Sequence, residues 1–457
     1  MPYIRAMISA TLPRPFRSPR LLLGLLLSGL LGGCQPARKP PVPADELNIS
    51  PLPALMARDA VLYEVFVPGF SQAGTFEGML TRLDSLKALG VNTLWLMPLH
   101  PTHGSPYAVD DYTAVNRDLG DLAAFDRLVA AAHQRGLRVL LDWVANHTSY
   151  HHPWLQQHPD WYTRDANGRV VAPVPAWTDV ADLDYSRPAL RIAMTAAMKD
   201  WVTHHAIDGF RCDAADMVPD DYWQNALYEL RQANPNLFFL AEGSKATHYA
   251  AGFQLTFGWD FYNALLRVLA QQAPAAALAA AHAQEMQAVP AGSPRLRFVT
   301  NHDEVQGGAP DARFGSEAAA RAAFVATLAF APAPLLYNGQ ETGDPAPLNN
   351  PGRTPIRWGL DATAGPFYRV LLGAYNALPA WRTGPAEYFD QLPGTVVVRH
   401  RLGSQEVLVL ANLRNAAVPV PLPAALQGTW TNGLTRVPVA AGATVALPAY
   451  GYAVWQR

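Results

Sequence analysis

Carboxylates, imidazoles and one guanidinium occur in four short stretches, each of which continues an apolar or aromatic run typical of a buried strand. The stretches are Asp142-Trp-Val-Ala-Asn-His147, Gly209-Phe-Arg-Cys-Asp213, Ala241-Glu-Gly243 and Asn301-His-Asp303. Residues two apart on a strand share a face, so Arg211 and Asp213 are predicted to project together. A neighbouring Arg favours the ionised form of an Asp, which a carboxylate nucleophile requires.

Glu242 supplies a second carboxyl group at the end of the run Leu237-Phe-Phe-Leu-Ala241. Paired carboxyls in unlike environments are what glycoside hydrolysis needs, because one attacks the sugar while the other donates a proton. The competing interpretation is structural, with an ordinary Arg–Asp ion pair, packed histidines and helix-capping carboxylates. That interpretation would have to apply independently at four strand ends, so we favour the chemical one.

Taken in this order, the four stretches resemble the signature regions of the α-amylase family of retaining glycoside hydrolases. The resemblance runs from about Val61 through Tyr337-Asn-Gly-Gln-Glu341 to the C-terminus. It implies that Asp213 is the nucleophile, Glu242 the general acid/base and Asp303 a transition-state-stabilising carboxylate. Sugar-binding or charge-positioning roles are implied for four further residues, namely Tyr107, His147, Arg211 and His302.

The reaction that the resemblance implies is double displacement at α-1,4-glucosidic bonds of starch-like glucans or maltooligosaccharides. Retention of configuration predicts carboxyl groups about 5–5.5 Å apart. A transglycosylase or a small-oligosaccharide α-glucosidase would use the same residues and stays open as an alternative. Asp216-Met217 stands where many starch-cleaving members carry Lys-His, which bears on the sugar-accepting side of the cleft. A non-catalytic sugar-binding lipoprotein is the other alternative, although binding alone does not require three carboxylates.

The implied chemistry requires no cofactor, and calcium is an optional structural ion. Asn146 and Asp184 match positions that carry oxygen ligands in many family members, and calcium prefers such hard oxygens. Met217 replaces a family His whose carbonyl often completes that site, which weakens the case. Three further histidines, His151, His152 and His158, follow the third predicted strand. Their irregular spacing argues against a zinc site and favours positions on the surface or in the cleft.

Composition excludes some classes of partner. The chain has 457 residues, of which 50% are hydrophobic and 16% charged, enough for a large core and more than one domain. A formal net charge of −2 provides no basic field for nucleic acid. The sequence carries no signal for an oligomeric state.

Apolar strands alternate with helical patterns from residue 61, which predicts a (β/α)8 TIM barrel over residues 56–385. The alternation breaks after the third strand, and residues 148–186 are interpreted as the small B-domain insertion of the family. Short alternating runs predict a C-terminal antiparallel β-sandwich over residues 386–457. The predicted barrel strands are 61–67, 91–97, 138–143, 207–213, a fifth starting at Leu237, then 253–257, 296–300 and 334–337.

The N-terminus predicts a bacterial lipoprotein. Residues 1–33 read as a signal peptide whose apolar run is too short to span a bilayer, and Leu31-Gly-Gly-Cys34 resembles a lipoprotein cleavage box. Lipidation of Cys34, followed by a Pro-rich tether over 34–55, would anchor the protein in the cell envelope, with the outer membrane favoured. A plain secretory signal with an incidental Cys is the alternative. Cys212 is the only other cysteine and is predicted to be an inert buried thiol.

Overall fold

The computed structural model describes residues 52–287, 289–344 and 354–457 of the chain. The predicted signal peptide, Cys34 and most of the tether lie outside the described residues. Among the residues that are described, no helix has the length and apolarity needed to cross a membrane.

Eight parallel strands form a closed barrel. In chain order, the strands of the barrel and of the insertion after its third strand are β1 Leu62–Val65, β2 Thr93–Leu96, β3 Arg138–Trp143, β4 His147–Ser149, β5 Val180–Asp182, β6 Gly209–Cys212, β7 Phe238–Ala241, β8 Leu255–Thr256, β9 Leu296–Arg297 and β10 Ala333–Tyr337. The barrel order is β8-β7-β6-β3-β2-β1-β10-β9, and a parallel bridge between Phe257 and Leu296 joins its two edges. The predicted TIM barrel is confirmed.

Helices follow the strands and cover the barrel. They are α1 Val67–Phe70, α2 Phe76–Leu80, α3 Leu83–Ala88, α4 Leu122–Gln134, α5 Trp154–Gln157, α6 Pro188–His204, α7 Asp220–Ala233, α8 Thr247–Ala251, α9 Trp259–Ala270, α10 Ala276–Gln287, α11 Pro310–Phe314, α12 Glu317–Leu328, α13 Ala364–Ala377 and α14 Pro379–Thr383. Local signals explain their limits: Asp121 caps α4 by accepting the N–H of Ala124 at 2.8 Å. Two short helices, α2 and α3, follow one another, and the hydroxyl of Thr81 between them donates to the carbonyl of Gly78 at 2.8 Å.

The stretch between β3 and α6 contains a small sheet of its own. Strands β4 and β5 pair antiparallel, with His147 opposite Asp182, and α5 lies between them in sequence. Asp179 accepts the backbone N–H of Ser105 at 2.9 Å, which ties this insertion to the loop after β2. The bounds of the insertion, 148–186, stay a prediction from the sequence.

The C-terminal part is an antiparallel β domain, as predicted. Its strands are β11 Ala386–Tyr388, β12 Thr395–Leu402, β13 Gln405–Asn412, β14 Val418–Pro421, β15 Gly428–Asn432, β16 Pro438–Ala441, β17 Thr444–Leu447 and β18 Tyr452–Gln456. A six-stranded sheet, β11-β12-β13-β18-β15-β16, and the pair β14-β17 share a core that contains Leu408, Val420 and Trp455.

Candidate active site

Charged side chains follow an apolar layer inside the barrel. Leu140 and Leu240 belong to the buried cluster within the barrel, and the next inward positions, two residues along each chain, are Asp142 and Glu242. Leu62 and Glu64 repeat the pattern on β1. The C-terminal strand ends therefore bring ionisable groups to one place, where TIM-barrel enzymes carry their chemistry.

Arg211 lies at the centre of these groups and is fully buried. Its Nη1 donates to Asp142 Oδ1 at 2.7 Å and to Asp213 Oδ1 at 2.9 Å, and its Nη2 lies 2.8 Å from Glu242 Oε1. The guanidinium carbon also lies 4.9 Å from the centroid of the Trp95 ring. One cation thus contacts three carboxylates from β3, from the end of β6 and from the end of β7.

Gly209 at the start of β6 makes this arrangement sterically feasible. It adopts φ +147°, and a Cβ there would lie 1.8 Å from the backbone oxygen of Phe238 on the neighbouring strand β7. Only glycine allows the two strands to approach so closely. The glycine of the second sequence stretch therefore sets the distance between the strands that carry Asp213 and Glu242.

Glu242 is fixed by the turn that follows β6. Ala214 has left-handed backbone angles, φ 43° and ψ 38°, and its N–H donates to Glu242 Oε2 at 2.7 Å. Ala215 N–H donates to the backbone oxygen of Glu242 at 3.0 Å. The strained Ala214 conformation thus turns a backbone donor onto a carboxyl group, and strain of this kind is typical of functional sites.

Asp213 is 7% exposed, and Glu242 has 21% of its side chain exposed. Burial, and next the negative charge of Glu242, raise the pKa of Asp213 well above its ordinary value, while Arg211 acts in the opposite direction. The sequence expectation that Arg211 keeps Asp213 ionised is therefore wrong in its net direction, because burial and Glu242 outweigh the guanidinium. A protonated Asp213 cannot attack as a nucleophile, so its contact with Arg211 is the one that favours the reactive, ionised form.

Tyr107 and His302 belong to the same group of interacting side chains. The Tyr107 hydroxyl donates to Asp142 Oδ2 at 3.1 Å and lies 2.8 Å from His302 Nε2. His302 Nδ1 lies 2.5 Å from Glu64 Oε1, and its Nε2 lies 3.4 Å from Asp303 Oδ1. Burial alone would lower the pKa of His302, but Asp303 and Glu64 outweigh it and raise that pKa to about 10. His302 is therefore a cation, and Asp303, half exposed, lies beside it.

His147, in contrast to His302, is a neutral imidazole near pH 7. It is 3% exposed at the start of β4, and burial lowers its pKa to about 4. Its ring lies 5.6 Å from that of Trp177, an aromatic residue of the insertion with 38% of its surface exposed. A neutral imidazole beside an exposed indole offers a hydrogen bond and an apolar face, which together suit a sugar ring.

The candidate calcium ligands, Asp184 and Asn146, both contact other groups of the protein. Asp184 accepts the N–H of Ser186 at 3.0 Å and pairs with Arg187 at 3.1 Å, while Asn146 contacts His147. The part of the chain that the structure describes holds no group of three His, Cys, Asp or Glu side chains that could bind a metal ion. Calcium at Asn146 and Asp184 stays a prediction, and catalysis in the family needs no cofactor.

The three histidines of the insertion, His151, His152 and His158, each contact a different residue. The ring of His151 is tilted against that of His103 with centroids 3.8 Å apart, and His158 stacks on Trp161 at 4.0 Å. His152 accepts the backbone N–H of Trp154 at 3.1 Å. All three are packing contacts within the protein.

Comparison with known proteins decides the family. Residues 58–168 and 176–365 match the sequence model described as alpha amylase, catalytic domain. The chain belongs to the α-amylase family. Members of this family are glycoside hydrolases and transglycosidases that need no cofactor for catalysis.

Individual relatives support the same family assignment. Alpha-amylase MalA of Haloarcula japonica is 29% identical over 398 residues, covering 82% of this chain and 58% of the relative. An alpha-1,4-glucan:maltose-1-phosphate maltosyltransferase of Pseudomonas aeruginosa is 30% identical over 220 residues, covering 41% and 33%. The crystal structure of an alpha-amylase from Lactobacillus plantarum superposes with a TM-score of 0.80 at 26% identity, covering 88% of this chain and 99% of that one. The chain thus spans less than two thirds of the length of these sequence relatives.

Several residues of the site were given no role from sequence. Asp142 opens the first of the four stretches, but its contact with Arg211 depends on the β3–β6 pairing, in which the two residues are direct partners. Glu64 was also missed, although a lone charge within Val61-Leu-Tyr-Glu-Val-Phe-Val67 is a signal that could have found it.

Proposed function

We propose that the protein is a retaining glycoside hydrolase that cleaves α-1,4-glucosidic bonds of starch-like glucans or maltooligosaccharides. The observation that carries the proposal is the contact of one buried guanidinium, Arg211, with both Asp213 and Glu242. Because both carboxyl groups contact the same cation, they are held close together. Membership of the α-amylase family supports the same chemistry.

In the first step, the Asp213 carboxylate forms a bond to the anomeric carbon as the bond to the glycosidic oxygen breaks. Glu242 gives its proton to that departing oxygen. In the second step, Glu242 takes a proton from water, whose oxygen attacks the anomeric carbon and releases Asp213 as a carboxylate. Asp303 would bind sugar hydroxyls more strongly as the ring flattens, a contact selective for the transition state.

Early-time proton NMR of maltooligosaccharide hydrolysis tests this mechanism. Two displacements at one carbon retain its configuration, so we expect the α-anomer to appear first. Initial release of the β-anomer would mean a single displacement and would exclude Asp213 as nucleophile.

Asp213→Asn provides the second test. We expect a folded protein whose hydrolytic rate falls by several orders of magnitude, because an amide cannot form the glycosyl-enzyme bond. Folding is checked by circular dichroism. Activity within about tenfold of the wild type would remove Asp213 from this role.

Transfer to an acceptor sugar, or action on small oligosaccharides, is the second candidate function. It is favoured by Asp216-Met217 at the position of the Lys-His pair of many starch-cleaving members, and by a maltosyltransferase among the relatives. A product profile on starch, maltotriose and sucrose distinguishes the candidates. Products longer than the substrate would favour transfer, whereas only shorter ones would favour hydrolysis. A protein that binds these sugars without converting them would be the sugar-binding lipoprotein of the other alternative.

Our proposal for location rests on the sequence of residues 1–55. The mature protein is expected to begin at Cys34, to carry lipid there and to be held at the outer membrane by its Pro-rich tether. Mass spectrometry of the membrane fraction tests the modification, and Cys34→Ser is the variant that should leave that fraction. An unmodified N-terminus would contradict lipidation.

A further inference from the structure

The carboxylate of Asp216 connects the loop after β6 to the loop after β7. Its Oδ1 lies 2.6 Å from His248 Nε2, and its Oδ2 accepts the backbone N–H of Ser244 at 3.2 Å. His248 belongs to α8 and is completely buried. Lys245 adds a third connection, because its ammonium group donates to the backbone oxygen of Asp216 at 2.5 Å.

Gly243 makes room for this cluster, which consists of Asp216, Ser244, Lys245 and His248. A Cβ at Gly243 would lie 2.3 Å from Asp216 Oδ1 and 2.9 Å from His248 Nε2. The carboxylate and the imidazole therefore pack directly against the backbone of the residue that follows Glu242. Any larger residue at position 243 would separate them.

Each of the two loops also touches Glu242. Ala214 and Ala215 of the first loop bind its carboxyl group and its backbone oxygen. The second loop begins with Glu242 itself and is held at Ser244, Lys245 and, through α8, at His248. Burial would raise the pKa of Asp216, but the hydrogen bonds from His248 and Ser244 outweigh it and lower that pKa. The carboxyl group that connects the two loops is therefore ionised at neutral pH.

We propose that Asp216 is a positioning residue that holds Glu242 in line with the departing oxygen by bracing the loop over residues 243–248. This inference rests on the proposed role of Glu242 as the general acid/base. Asp216 acts through His248 and Ser244 and does not contact the sugar. Asp216, at a position where many starch-cleaving members carry a lysine, thus contacts the enzyme's own loop.

The test compares two substrates that differ in their need for proton transfer. A maltooligosaccharide needs Glu242 as acid and then as base. α-Maltosyl fluoride with added azide needs neither, because fluoride leaves without a proton and azide attacks the glycosyl-enzyme without a base, giving maltosyl azide and free Asp213. Misplacement of Glu242 should therefore affect only the first substrate.

For Asp216→Ala we expect kcat on the maltooligosaccharide to fall by at least about tenfold, part of the contribution usual for a general acid. KM should stay within about threefold, and turnover of α-maltosyl fluoride with azide should also stay within about threefold. The matched control is Asp200→Ala, because Asp200 is similarly exposed and pairs with His204 at 2.8 Å on α6, outside this cluster. Both activities of the control should equal those of the wild type.

Gly243→Ala should produce the same substrate-selective loss, because its Cβ would displace Asp216 and His248. Should Asp216→Ala fail to fold, Asp216→Asn and Gly243→Ala carry the test. Equal loss on both substrates would mean a general packing role, and a raised KM at unchanged kcat would mean a sugar contact; either result overturns the inference. A wild type that converts neither substrate would overturn the proposed function itself, and this inference with it.

Discussion

Two imidazoles of the candidate site differ in charge because their immediate neighbours differ. His302 lies between the carboxylates of Glu64 and Asp303, which stabilise its protonated form. His147 is buried beside Trp177, and the nearest favourable charge, Asp179, does not compensate for its burial. The residue type is the same, and the neighbours decide the charge.

We predict that His302 is doubly protonated and His147 neutral at pH 7.5, since their pKa values are about 10 and about 4. Nitrogen-15 NMR of the imidazoles measures both states in the full chain. His302→Gln and His147→Gln identify the two sets of signals by their disappearance. A neutral signal assigned to His302 at this pH would contradict the prediction.

Alternation along a strand is a local property, so the common direction of Arg211 and Asp213 could be predicted from sequence. The structure brings the pair within 2.9 Å. The contacts of Arg211 with Asp142 and of His302 with Glu64 join residues 69 and 238 positions apart. Such contacts depend on which strands become neighbours, and a single sequence does not specify that pairing.

At the scale of elements, the succession of strands and helices was predicted better than their lengths. Strands β8 and β9 have only two residues each, against the five expected for both. Their ladders are short, and the chain beyond β9 continues without strand pairing to His302 and Asp303. Apolar residues such as Phe298 and Val299 stay buried without strand pairing, which explains why the pattern overestimates the strand.

The loop after β10 carries a buried acid without a catalytic role here. Both carboxylate oxygens of Glu341 accept from the hydroxyl of Tyr63, a residue of β1, at 3.0 Å. Burial raises the pKa of Glu341 from 4.5 to about 7. Between these values the folded protein holds a proton that the unfolded chain has released, so stability falls as pH rises through this window.

We therefore predict that Glu341→Gln flattens the pH dependence of unfolding between about pH 4.5 and 7, where the acid accounts for on the order of 3 kcal/mol. Thermal unfolding monitored by circular dichroism across this range measures the effect. Glu229→Gln, at an exposed position of α7, is the control and should follow the wild type. A Gln variant with the full wild-type pH dependence would assign that dependence to other groups.

At the scale of the whole molecule, the barrel and the C-terminal β domain share one hydrophobic core. Val396, Val407 and Val454 of the β domain belong to the same buried cluster as the barrel helices. His400 of β12 lies 2.8 Å from the backbone oxygen of Ala329. Arg414 donates to the backbone oxygen of Ala273, at 2.6 Å. We infer that the two parts unfold together.

Scanning calorimetry should accordingly give a single unfolding transition. Arg414→Ala should lower the midpoint of that whole transition, because it removes hydrogen bonds to partly buried carbonyls such as those of Val268 and Ala273, at a cost of about 1 kcal/mol. Arg401→Ala is the control, since Arg401 is half exposed and pairs only within the β domain, with Glu406. Two separated transitions would mean that the domains are independent.

Cys212 lies on β6, between Arg211 and Asp213, with its thiol fully buried, and burial raises its pKa well above the ordinary value. A protonated, inaccessible thiol does not react with disulfide reagents. With Cys34 replaced by serine, the chain retains one thiol, on a central strand of the barrel. The rate at which a thiol reagent labels that cysteine would then report how often the barrel opens around the strand that carries Arg211.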